Sequence, residues 1–215
     1  HCYWIESAGI EDTPPLTSLQ GDQIADIVIV GGGYTGLSAA LHLAERFPER
    51  RIVLLEGTRV GYGASGRNCG LLLPFINGAE AITHELVDAG RIDEARKVFD
   101  ATSAGIGLIQ ELVEQRGVDC EWEPVENLMG ALTPRQEARL EGEQRMYAAL
   151  GLEATWLSET ELRQRVDVEG YRGALTVPTS AMINPAKLAT GLLDLVRAAG
   201  VEVYESARLE RCQQG

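Results

Sequence analysis

The sequence predicts an α/β fold that starts from a nucleotide-binding βαβ unit. Three observations carry that prediction. An apolar run, Asp26-Ile27-Val28-Ile29-Val30, empties directly into the glycine turn Gly31-x-Gly33-x-x-Gly36. A helical pattern follows, with Leu37, Ala40, Leu41 and Ala44 on one face. A second apolar run, Ile52-Val53-Leu54-Leu55, ends on Glu56, twenty residues past Gly36.

Each part has a physical reason. The first run is rich in β-branched residues and reads as a buried parallel strand. Gly31 permits the tight turn, Gly33 lets a pyrophosphate approach the backbone, and Gly36 lets the helix pack close to the strand. The helix begins at Tyr34 and Thr35, where free N–H groups and the positive dipole end favour phosphate. Glu56, flanked by Leu55 and Gly57, stands where an acidic side chain can accept hydrogen bonds from ribose hydroxyls.

Composition bounds the function. The chain carries 19 basic and 32 acidic residues, a net charge of −13, which argues against nucleic acid or an anionic membrane surface as partner. No apolar run approaches the ~20 residues of a membrane span. The N-terminus, His1-Cys2-Tyr3-Trp4, has no basic segment leading into an apolar one, so no signal peptide is expected. It also lacks an initiator Met, so the chain is expected to be trimmed. Cys2, Cys69, Cys120 and Cys212 show no C-x-x-C spacing, and His1, His42 and His84 show no H-E-x-x-H. Neither a metal site nor a disulfide framework is expected, and a reducing, cytoplasmic setting is.

In chain order, residues 1–25 read as an extended arm, with Tyr3 and Trp4 packing on the domain surface. After Glu56 comes a run of small residues, Gly61, Gly63 and then Ala64-Ser65-Gly66-Arg67-Asn68-Cys69-Gly70. Such a loop either wraps close to something flat or anionic or is a flexible surface loop. Residues 79–116 read as helical, with Ile92, Ala95, Phe99, Thr102, Ile106, Ile109 and Val113 on one buried face. Gly105 and Gly107 mark a close helix approach or a bend there, and Gly117 a stop. Val125 to Leu132 reads as a strand. Thr133-Pro134-x-Gln136 opens a helix with an N-cap, a proline at N1 and a capping-box glutamine, and Gly151 ends it. Ser158-x-x-Glu161 is a second capping box, with Leu157 and Leu162 as its hydrophobic staple. Ala174 to Val177 reads as a strand that stops at Pro178. Asn184-Pro185 caps a helix facing Leu188, Leu192, Leu195 and Ala199 inward, ended by Gly200, and Val201 to Tyr204 is a last strand.

Taken together, D-I-V-I-V-G-G-G-Y-T-G-L-S-A-A, L-L-E and G-Y-G-A-S-G-R-N-C-G resemble the FAD-dependent amine and amino-acid oxidoreductases of the D-amino-acid oxidase superfamily. The γ-glutamylputrescine oxidase-like branch, whose second motif reads G-A-S-G-R-N-G-G, is the closest in pattern. This chain departs from it at Cys69. The resemblance is specific over residues 26–71 and covers the rest in outline.

The resemblance implies a Rossmann-like FAD-binding βαβ domain with a discontinuous α+β substrate domain inserted. Residues 1–71 are then the first part of the FAD-binding domain, 72–183 the first part of the substrate domain, and 184–215 the return. Ser65, Arg67, Asn68, Gly70 and Leu71 run beside the flavin's pyrophosphate and isoalloxazine ring, with Arg67 and Asn68 fixing it. The strand Val201 to Tyr204 lies beside the second strand, and Ala207-Arg208 passes the adenine. The cofactor is FAD and the substrate a small-molecule amine, of polyamine or N-modified type, or an amino acid. No catalytic residue is assigned. The family is considerably longer, so a missing C-terminal half or a second chain is expected as partner. Two other readings stay open: an NAD-dependent dehydrogenase, against which the loop 61–70 counts, and a non-catalytic FAD-holding subunit. Cys69 reads as a small packed hydrophobe, and His42 as a surface or packed histidine.

Overall fold

The computed structural model describes residues 1–75 and 78–213. The chain divides into two compact units: His1–Gly70, Val113–Trp122 and Ile183–Gly215 form the first, and Leu71–Leu112 and Glu123–Met182 the second. Residues 113–122 thus lie in the first unit, where the sequence reading runs an uninterrupted excursion from 72 to 183.

In the first unit, β1 (Ile27–Val30), β2 (Ile52–Leu55) and β7 (Glu202–Tyr204) form a parallel sheet of order β1-β2-β7. Ile27 pairs with Ile52 and Val53 with Glu202. The helix α2 (Tyr34–Arg46) buries Leu37, Ala40, Leu41 and Ala44, the face that the spacing picks out. The helix α7 (Pro185–Ala198) packs against α2, as two right-handed crossovers stepping the same way along a sheet should.

Three expectations in this unit need correction. β1 is buried on one face only: Ile29 faces Gly36 of α2, while Val28 and Val30 are 53% and 54% exposed. Within this chain it is the edge strand of a three-stranded sheet, and α2 packs on its other face. Residues 1–10 are not an extended arm. They hold the short helix α1 (Tyr3–Ser7), whose Ile5 packs with Ile10 and Ala186 while Trp4 packs alongside; Tyr3 is 71% exposed. On α7 the inward residues include Ala186, Ala189 and Val196 beside Leu188 and Leu192, whereas Leu195 is half-buried and Ala199 exposed. Small residues are needed there because a neighbouring backbone comes close: a Cβ on Gly61 would lie 2.7 Å from the Ala189 Cβ.

The second unit is an antiparallel sheet around β6 (Gly173–Met182), with β4 (Glu123–Ala131) along it and β3 (Leu71–Leu72) and β5 (Thr155–Ser158) also paired to it. The strand does not stop at Pro178. Val125 opposes Ser180 and Asn127 opposes Val177, so one β4 residue faces two on β6. That bulge admits a residue with no N–H to donate. Helices α3 (Ala79–Asp88), α4 (Ile92–Arg116), α5 (Pro134–Ala149) and α6 (Glu159–Arg165) complete the set.

The expected helix over 79–116 is two helices. Gly90, at φ 72°, sits between them, and its N–H and that of Arg91 donate to Val87 and Leu86 carbonyls, a left-handed C-terminal cap. On α4 only Ala95 and Phe99 are buried; Thr102, Ile106, Ile109 and Val113 are half-buried. Gly105 and Gly107 face open space, so they mark no close approach. Both capping boxes form, Thr133 with Gln136 and Ser158 with Glu161. Leu157 and Leu162 meet in one buried cluster with Ala174. The main core joins Phe99, Leu140, Met146, Tyr147, Leu150, Leu175 and Val177, with Phe75 packed against it. No helix among the described residues is long and apolar enough to cross a membrane.

Among the described residues of this unit, one carboxyl is buried. Glu143 on α5 is 3% exposed. Burial, and then the Glu80 carboxylate of α3, push its pKa up to about 7 against the pull of Arg139, while Tyr147 faces the same two carboxylates. A carboxyl whose folded pKa is raised stabilises the fold below its unfolded value, and that contribution is lost as pH rises through the folded one. Stability should therefore fall between the ordinary value of 4.5 and about 7. Glu143→Gln is expected to flatten that slope and to raise stability above neutral pH by on the order of 1 kcal/mol, read from urea unfolding across a pH series.

Candidate functional site

The site is built at the carboxyl ends of β1 and β2, where the glycine turn leads into α2. Gly31 takes φ 101°, open to glycine and strained for other residues, and its N–H donates to the Leu55 carbonyl at 2.8 Å. That bond ties the turn to the end of β2. A Cβ on Gly36 would lie 1.9 Å from the Gly31 carbonyl oxygen, so only a glycine lets α2 start this close to the turn.

Glu56 folds back over the same turn. Its Oε2 accepts the Gly32 N–H at 2.7 Å, and its Oε1 accepts from Thr58 through both the N–H, at 2.8 Å, and Oγ1, at 3.1 Å. Leu55 pairs with Val30 and with Tyr204, and Gly57 lies beside Arg208. The small-residue loop is not a free surface loop. Gly61 N–H donates to the Gly32 carbonyl at 3.0 Å, and the Ser65 hydroxyl accepts the Tyr34 N–H at 3.0 Å. Gly33 has no side chain to cap α2, so Ser65, from a distant part of the chain, does so. A Cβ on Gly33 would lie 2.8 Å from that hydroxyl.

The next N–H groups of α2, those of Thr35 and Gly36, find no acceptor among the described residues. They are the orphan donors of a helix N-terminus, in the field of its positive dipole end. Bare glycine backbone, two unused donors and a carboxylate beside them are the donor and acceptor set that an adenosine pyrophosphate needs.

Asn68 folds its own loop. Its Nδ2 donates to the Ser65 carbonyl and its Oδ1 accepts the Gly70 N–H. Gly70, at φ 72°, presses on the Ile183 carbonyl, where a Cβ would come within 2.3 Å. Arg67 lays its guanidinium over the Tyr62 ring at 3.9 Å. Leu71 begins β3 in the second unit. Cys69 is exposed rather than packed. His42 is on the surface, its ring nitrogen 2.8 Å from the Ser38 carbonyl. The thiol that is buried is Cys120, its pKa pushed up to about 11 by burial first and by Asp119 and Glu121 after it.

Sequence reasoning missed Glu205. It is 3% exposed, accepts the Val60 N–H at 2.8 Å and the Leu16 N–H at 2.7 Å, and pairs with Arg59 at 3.4 Å. It thereby holds the start of the small-residue loop against the end of β7. A single acid after a short strand carries no pattern, so nothing in the sequence marks it. Asn184 was legible as a cap and does accept the Lys187 N–H. Its amide nitrogen, which donates to Ser7 and Glu121, was not.

Residues 26–215 match the FAD dependent oxidoreductase family. The chain belongs to that family. It is 34% identical over 200 residues to the gamma-glutamylputrescine oxidoreductase of Escherichia coli, an alignment covering 93% of this chain and 46% of that protein. Among solved structures it is similar to glycine oxidase from Bacillus cereus, at TM-score 0.64 and 21% identity, covering 85% of this chain and 46% of that one. It is also similar to L-amino acid deaminase from Proteus myxofaciens, at TM-score 0.68 and 20% identity, covering 90% and 41%. At those identities the structures establish the fold. The chain spans less than half the length of these relatives. Membership in an FAD-dependent family removes the NAD-dependent reading.

The close approach at Gly36 gives a direct test. Gly36→Ala places a methyl against backbone that no side-chain rotation can relieve, and is expected to cost about 3 kcal/mol or more in urea unfolding. Ser65→Ala, which removes only the borrowed cap, should cost about 0.5–2 kcal/mol.

Proposed function

We propose that this chain forms the adenosine- and pyrophosphate-holding part of an FAD-dependent oxidoreductase that oxidises an amine or an amino acid. The observation that carries the reading is the junction of the two motifs: the glycine turn, Glu56 and the Ser65 loop converge on the N-terminus of α2, in a chain that matches an FAD-dependent family over residues 26–215. In this reading the backbone at Gly31 and Gly33 and the unused N–H groups of Thr35 and Gly36 receive the pyrophosphate, while the Tyr34 N–H stays with Ser65. Glu56, between Leu55 and Gly57, accepts from the ribose diol and repels a 2′-phosphate. Ser65, Arg67, Asn68, Gly70 and Leu71 are assigned to the flavin side.

Bound FAD supplies the hydride acceptor for the carbon bearing the amine nitrogen, giving an imine, with oxygen or another acceptor completing the cycle. The protein's part is to bind the cofactor, hold the neutral amine and exclude water. Residues 1–70, 113–122 and 183–215 belong to the cofactor side and 71–112 and 123–182 to the substrate side. The whole site is proposed for a protein of its relatives' length, completed by the rest of the chain or by a second one. The E. coli relative, a gamma-glutamylputrescine oxidoreductase, supports an amine over a hydroxy acid. The cytoplasmic setting belongs to the same proposal and rests on cysteine spacing.

The first test is the visible spectrum of the purified whole protein, with mass analysis of what denaturation releases. A flavin spectrum and released FAD are expected, and a colourless protein that takes up no flavin ends the reading. Glu56→Ala is expected to weaken FAD binding by about 1–3 kcal/mol, the range for hydrogen bonds to a charged group. For the substrate, a panel of amines, amino acids and hydroxy acids is scored by anaerobic flavin bleaching and then by peroxide in air. Bleaching by amines or amino acids is expected, and bleaching by hydroxy acids alone refutes the substrate class.

A further inference from the structure

We infer that Thr58 is a positioning residue that sets the Glu56 carboxylate for the ribose of the cofactor, an inference that rests on the FAD reading above. The acid at the end of β2 is expected from the motif; the residue that holds it is not. A carboxylate offers about four acceptor sites, two on each oxygen. In this structure Oε1 takes the Thr58 N–H at 2.8 Å and the Thr58 hydroxyl at 3.1 Å, which uses both of its sites. Oε2 takes the Gly32 N–H at 2.7 Å, which leaves one. The side chain is therefore clamped from both ends. One acceptor site, on the oxygen nearest the glycine turn, stays open to a ribose hydroxyl.

Thr58 is itself anchored. Its carbonyl accepts the Ser206 N–H at 3.1 Å, and the Ala207 N–H donates to the Glu56 carbonyl at 2.9 Å. The segment after β7 thus fixes Thr58, and Thr58 fixes Glu56. A glutamate has three side-chain torsions, so an unclamped carboxylate would lose that freedom on meeting the ribose, at a cost in affinity. The Thr58 hydroxyl removes part of that cost before the cofactor arrives. Its backbone N–H survives any substitution except proline, so the hydroxyl is the separable element.

The test is a double-mutant cycle read by FAD binding, with apoprotein of the whole protein titrated and flavin fluorescence quenching followed. Thr58→Val keeps the shape and removes the hydroxyl, and is expected to raise the FAD Kd about 3–10-fold, the worth of one hydrogen bond. Thr58→Ser should restore binding to near the starting value. In a Glu56→Ala background Thr58→Val should change nothing further, because no carboxylate remains to be positioned. An unchanged Kd for Thr58→Val, with Glu56→Ala still weakened, overturns the inference and leaves the FAD reading intact. Equal losses from Thr58→Val with and without Glu56 also overturn it, since they mark a role in the loop alone. Absence of FAD binding by the unsubstituted protein defeats the FAD reading itself.

Discussion

The close contact between Gly36 and the Gly31 carbonyl is the constraint on which the rest of the first unit depends. With a hypothetical Cβ 1.9 Å from that oxygen, a side chain of any size would push α2 away from the end of β1. The first helical N–H groups would then no longer converge on the turn. Leu37, Ala40, Leu41 and Ala44 would lose their register over the sheet at the same time, because they sit on the same rigid helix. Local backbone geometry, the proposed cofactor cradle and part of the core are in this way set by one missing methyl group.

Around that contact, three side chains from far along the chain do what the local sequence cannot. Ser65 caps α2 in place of Gly33. Glu56 satisfies the Gly32 N–H. Glu205 holds Val60, whose neighbour Gly61 bonds the Gly32 carbonyl. Each removes the penalty of a backbone group with no partner. Both carboxylates accept from backbone N–H groups, Glu56 from Gly32 and Thr58 and Glu205 from Val60 and Leu16, and Glu205 pairs with Arg59 as well. The surface proposed to receive the adenosine is consequently held in place before any ligand arrives, as preorganised binding requires.

The second unit follows other rules. Its sheet turns on one long strand, β6, that every other strand of the unit pairs with. A bulge lets that strand run through Pro178 without losing its partners on either side. Its helices are punctuated by glycines in left-handed conformation, Gly90 after α3 and Gly151 after α5. Within it, Glu143 is a carboxyl placed among apolar side chains and beside a second acid, an arrangement that costs stability once ionised.

The sequence by itself determined the βαβ unit, both capping boxes, the inward face of α2 and the return strand. It also marked Gly31, Gly33, Gly36, Glu56 and, through family resemblance, Ser65, which the structure brings together at the N-terminus of α2. These are legible because their causes are local: a turn needs glycine, a cap needs a hydroxyl or amide, and an amphipathic helix repeats every three to four residues. Tertiary structure alone decided that residues 3–7 would coil into a helix against α7 and that β6 would pass through Pro178. It also decided that Glu205 would be buried and Thr58 would clamp Glu56. Those outcomes depend on which backbone groups lack partners once distant segments have packed, and no short stretch of sequence contains that information.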